Sequence, residues 1–167
     1  MELNEIRSTV ENGSLQVKEM VDNIIGSACS EIDSYVINVR NSFLNADKIS
    51  DEDLDKIILK IPVYIYYLTQ ILQEIDIRKG ISAENAKYNE NEALLQSTGT
   101  VAEKQAKATN STVNDRVVQL AYKSASATIQ AKMNGAMEIL SSAKKVQQRR
   151  LEELKLTKMA GNSVGAF

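Results

Sequence analysis

Pro62 is the only proline among 167 residues, and this one fact narrows the possible folds more than any other feature of the chain. Proline removes a backbone donor and breaks helices, so a chain almost without it can run long helices. Only seven glycines supply the remaining turn chemistry. Short β-branched runs such as Val36-Ile37-Asn38-Val39 lie inside helix-period patterns and lack flanking turn pairs. The expected class is therefore all-α: a small helical bundle or helical hairpin with a long C-terminal oligomerisation helix.

The periodicity places the elements. Val17, Val21, Ile24, Ala28, Ile32, Tyr35 and Val39 recur in steps of three and four, which predicts a first helix over residues 14–44 that starts after Gly13. Ser50 with Asp53 three residues on resembles a capping box and opens a second segment. Pro62 predicts a kink or short break at Lys60-Ile61. Beyond it Tyr64, Leu68, Ile71 and Ile75 share a face in the most apolar part of the chain. Residues 78–91 are mostly polar and read either as a solvated helix or as a poorly ordered arm. Ser97-Thr98-Gly99 is the clearest turn, and Thr100 with Glu103 is a capping box for the last helix, which Asn110-Ser111-Thr112 can interrupt. The expected division is an N-terminal helical part over 1–98, a long basic amphipathic helix over 99–158, and a disordered tail over 159–167.

In the last helix Val113, Val117, Leu120, Ser124, Ala127 and Ala131 repeat every seven residues, and Leu140 continues an apolar side in a shifted register. These seven residues are the expected oligomer interface, since small side chains let a partner helix approach closely.

Chemistry has little to work with. The chain contains no histidine, which excludes a His general base and a His-ligated metal. Its one cysteine, Cys29, has no such base to activate it and reads as a packing residue. Asp51, Glu52, Asp53 and Asp55 open a helix, where the dipole favours negative charge, so they read as helix-start residues in preference to a cation site. The expectation is a protein that is not an enzyme, with no catalytic residues, no metal and no cofactor. The acidic start lacks the features of a signal peptide, and no apolar run reaches the roughly 20 residues of a membrane span. These features point to the cytoplasm, or the host cytoplasm for a phage-encoded chain, and to no membrane partner.

The net charge of −2 conceals a polar distribution. Residues 1–56 hold 5 Lys/Arg against 12 Asp/Glu, whereas residues 101–167 hold 11 against 5. The basic end can meet a polyanion, or acidic and basic ends can meet between subunits. Lys123, Lys132, Lys144, Lys145, Arg149 and Arg150 are the candidate nucleic-acid contacts. The competing reading is a solvated face, with Arg149 and Arg150 paired to Glu152 and Glu153. Among the aromatics, Tyr64 reads as core, one of Tyr66 and Tyr67 as exposed, and Tyr67 or Tyr122 could stack on a base, against the favoured reading that they pack in the core or an interface.

The stretch VAEKQAKATNSTVNDRVVQLAYKSASATIQAKMNGAMEILSSAKKVQQRRLEEL resembles the end of the UvsY-type phage recombination mediators. The likeness covers roughly residues 55–158 and lies in the order of features: a charged segment, a Val-rich helix start, then a long amphipathic helix with a basic, Gln/Arg-containing end. It implies a small helical protein that oligomerises into rings through C-terminal helical segments. It also implies single-stranded DNA binding and assistance to a RecA-like recombinase in replacing single-strand-binding protein. The alternative is a helical regulator, inhibitor or structural protein that binds protein and has no nucleic-acid role.

Overall fold

The computed structural model describes residues 3–44 and 49–163, with side chains described over 12–44 and 49–159. Every element among them is helical: α1 Leu3–Phe43, α2 Asp51–Gln96, α3 Val101–Ser111 and α4 Val113–Ser163. The all-α expectation holds. Several boundaries differ from it. α1 runs through Gly13 without a break. α4 extends to Ser163, past the expected end at residue 158, and residues 164–167 lie outside the described part.

The expected break at Lys60-Ile61 is absent, and α2 runs through Pro62 as one helix. Pro62 has no N–H to give the Ile58 carbonyl, a loss worth about 3 kcal/mol in a helix interior. Its neighbours outweigh that cost. Leu54, Ile57 and Ile61 are buried on one side of the same helix, and each such side chain contributes about 1.5–3 kcal/mol on burial. The polar stretch after Ile77 is helical as well, to Gln96.

Contacts divide the chain into two compact units that cut across the expected division at residue 98. Unit 1 comprises Met1–Ser30 and Leu68–Gln130, and unit 2 comprises Glu31–Tyr67 and Ala131–Phe167.

In unit 1, Cys29, Leu68, Ile75, Ala108, Ala121, Ala125 and Ile129 are buried. Alanines at 121 and 125 let the helices approach closely, as small residues do at helix contacts. A polar cluster fixes the second half of α2 to the start of α4. Ser82 Oγ donates to the Asp115 carbonyl at 3.3 Å, Gln119 Nε2 donates to the Ser82 carbonyl at 3.2 Å, and Asn89 Nδ2 donates to Asp115 Oδ2 at 2.8 Å. These bonds explain why a segment with few apolar residues is an ordered helix. Gly99 has φ +122°, in the region that favours glycine. Thr100 then caps α3: Glu103 N–H donates to Thr100 Oγ1 at 3.4 Å, and Thr100 N–H donates to Glu103 Oε2 at 2.8 Å. The interruption before α4 is a single residue, the fully buried Thr112, whose hydroxyl donates to the Thr109 carbonyl at 3.0 Å.

In unit 2, Ile32, Val39, Ile49, Leu54, Ile57, Ile61, Met133, Ala136 and Ala143 form the core. Tyr64 lies against Tyr35 with ring centroids 5.5 Å apart, and burial pushes the Tyr35 hydroxyl above its usual pKa. Ser50 caps α2 by accepting from Asp53 N–H at 3.1 Å and donating to Asp53 Oδ2 at 2.7 Å.

Candidate nucleic-acid interface

The six candidate cations all lie on α4, but the fold gives them different surroundings. Lys123 belongs to unit 1 and the other five to unit 2.

Two of the five are engaged within the chain. Lys132 Nζ lies 2.6 Å from both carboxylate oxygens of Asp33, with both side chains partly buried. Arg150 Nη1 donates to Asp51 Oδ1 at 2.7 Å, and Nη2 donates to the Ile49 carbonyl at 2.7 Å. Beside them Gln147 Nε2 donates to Asp55 Oδ1 at 2.6 Å. Part of the acidic start of α2 is therefore met by the basic end of α4 in the same chain. Neither an external polyanion nor a second subunit is required for that part of the charge pattern.

The other three face outward. Arg149 Nε lies 3.1 Å from Glu153, but its side chain is 82% exposed, and such surface pairs contribute little. Lys144 and Lys145 are exposed and have no ion pair among the described residues. The separation follows from helix geometry. Ala136, Ala143 and Arg150 are seven residues apart and share the inward face, which turns Lys144, Lys145 and Arg149 away from it.

In unit 1, Lys123 lines a groove of about 510 Å³ with Arg116 and Leu120 of α4 and Lys79, Gly80 and Ala83 of α2. Sequence reasoning did not place Lys79 here, because nothing in the α2 pattern indicates which α4 residues it faces.

The proposed oligomer stripe divides as well. Val113 and Leu120 are 46% and 52% exposed, and Ala127 and Ala131 are also exposed. Val117, Ser124 and Leu140 are half-buried. The chain buries the adjacent stripe instead, through Ala121, Ala125, Ile129, Met133 and Ala136. The seven-residue repeat legible in the sequence is thus largely left open.

Both Tyr66 and Tyr67 are exposed, edge to face at 5.8 Å, where only one was expected to be. Tyr122 is half-buried and lines a cleft of about 380 Å³ with Ile24, Ala28, Ile71 and Arg78. Cys29 is fully buried. Among the described residues no group of three or more His, Cys, Asp or Glu is arranged to hold a metal. No described helix is long and apolar enough to cross a membrane.

Comparison with protein-family models, curated proteins and solved structures returns no match.

Proposed function

We propose that this chain is an oligomeric single-stranded-DNA-binding recombination mediator that helps load a RecA-like recombinase. The observation that carries the reading is the outward cation set Lys144, Lys145 and Arg149 on a 51-residue helix, with Glu153 its one acidic partner among the described residues. The resemblance of residues 55–158 to UvsY-type mediators supplies the rest. Lys132 and Arg150 leave the contact set, because each holds a carboxylate of its own chain. One copy offers few cations, and the open stripe at Val113, Leu120, Ala127 and Ala131 offers self-association that would multiply them on one strand.

Titration of labelled oligothymidylate at two salt concentrations tests this. Each phosphate contact adds roughly 0.7 to the slope of log affinity against log salt. Lys144→Ala with Lys145→Ala should lower both affinity and slope, with helicity unchanged. Absence of any binding to oligothymidylate at low salt would overturn the reading.

A second reading is a helical protein-binding regulator, inhibitor or structural protein. The internal engagement of Lys132 and Arg150 favours it, as it takes two of the five candidate cations of unit 2. Under this reading the parent chain and the lysine variant both leave oligothymidylate unbound.

A further inference from the structure

The groove in unit 1 is lined by basic and aliphatic residues. Arg116 and Lys123 project into it with no side-chain partner among the described residues. Lys79 does so too, sharing its charge with Asp76 at 3.4 Å. Three cations therefore face one carboxylate. The rest of the lining is Leu120, Gly80 and Ala83 with Gln119, whose amide donates to the Ser82 carbonyl. It contains no aromatic ring, so it offers bases nothing to stack on. A surface that brings carboxylates around an aliphatic side chain fits this lining.

The chain itself carries such a surface. On α1, Leu15 is 63% exposed, and Glu19 and Asp22 are exposed with no ion pair among the described residues. Positions 15, 19 and 22 are spaced four and three apart and share one helix face with the exposed Lys18, so that face carries two carboxylates against one ammonium. The opposite face of α1, with Ile24 and Ala28, lines the cleft with Ile71, Ile75 and Tyr122. The acidic face therefore looks away from the α2 and α4 residues of its own copy. The lengths agree. Leu15 to Asp22 and Arg116 to Lys123 each span seven residues, about 10.5 Å along a helix.

We propose that the Leu15–Glu19–Asp22 face of α1 in one copy docks into the Lys79–Arg116–Leu120–Lys123 groove of a second copy. Leu15 covers the aliphatic lining, and Glu19 and Asp22 meet the three cations. Face and groove are different surfaces, so the contact is heterologous, and each added copy presents a fresh face or groove. Growth then ends in a closed ring or continues as a filament. The proposal rests on the self-association included in the function above, and it extends that contact from Leu120 of the open stripe to the groove beside it and to α1.

Exchange of the charges tests it. Arg116→Glu with Lys123→Glu makes the groove acidic, and Glu19→Lys with Asp22→Lys makes the face basic. All four side chains are exposed, so each variant should keep the parent's helicity in circular dichroism. Each variant alone should associate more weakly by on the order of a hundredfold, since like charges then oppose each other across the contact. An equimolar mixture should regain the assembly in sedimentation velocity, because every reversed groove finds a reversed face. Recovery in the mixture supports the proposal. If both variants keep the parent's mass, self-association stands and this contact is wrong. If the variants dissociate but the mixture does not recover, face and groove do not meet. A parent chain that is monomeric at micromolar concentration removes the self-association reading and this contact with it. If Arg116→Glu with Lys123→Glu abolishes oligothymidylate binding but leaves assembly intact, nucleic acid occupies the groove and the proposal fails.

Discussion

Arg150 and Lys144 are six residues apart on one helix and have opposite roles in the fold. Arg150 joins Asp51 and the Ile49 carbonyl, whereas Lys144 is exposed and makes no ion pair among the described residues. Truncation to alanine should separate them. Arg150→Ala should cost about 1 kcal/mol in urea denaturation, the usual scale for a partly exposed ion pair with an added hydrogen bond. Lys144→Ala should change stability by less than about 0.5 kcal/mol. Equal costs would mean that the Arg150 contacts contribute nothing. Gly99 is constrained from another direction. At φ +122° a side chain is strained, and a Cβ there would lie 2.5 Å from Glu103 Oε2. Gly99→Ala should destabilise by about 1–2 kcal/mol in the same measurement.

At the scale of elements, the helix starts carry a pH dependence. Backbone N–H donation from Thr100 holds the Glu103 carboxyl below its usual range, and the Ser50 hydroxyl does the same for Asp53. A carboxyl whose pKa is lowered by folding stabilises the folded state fully above its unfolded value, near 4. That contribution is lost as the pH falls through the lower folded value. Thermal unfolding of Glu103→Gln should therefore show a shallower loss of Tm on acidification from about pH 5 to pH 3 than the parent. Identical curves would rule out this cap as a titrating element. Pro62 provides a second test. It occupies an exposed position in an unbroken helix, so Pro62→Ala should stabilise the fold by about 2 kcal/mol, read by denaturation. The sequence made the helices legible, including the caps at Ser50 and Thr100, because periodicity and capping are local. It misled at Pro62 and left residues 78–91 open between a solvated helix and an arm, where burial of Ile61 and hydrogen bonds from Ser82 and Asn89 decide the outcome. Those partners are distant in the chain. The same limit governed the site. The cations could be counted from the sequence, but which of them meet Asp33 and Asp51 depends on packing between helices. One signal was nonetheless available, since Arg150 continues the seven-residue spacing of Ala136 and Ala143.

For the whole molecule, the open stripe on α4 predicts a concentration-dependent mass. Leu120→Glu should lower the assembly mass in sedimentation velocity without altering circular dichroism, because Leu120 is 52% exposed and supports no core. A mass equal to the parent's would remove the stripe from the interface. Another consequence comes from α2, whose buried positions Leu54, Ile61, Leu68, Ile75 and Ser82 fall seven residues apart. The first two serve unit 2 and the last three serve unit 1. Within unit 1, one added or deleted residue between Leu68 and Ser82 would rotate the one about 100° out of line with the other around the helix axis. Only changes of a whole heptad would restore the register. Natural variants of this protein should therefore keep the length of α2 fixed and gain or lose residues at the Ser97-Thr98-Gly99 turn, where no register is carried forward.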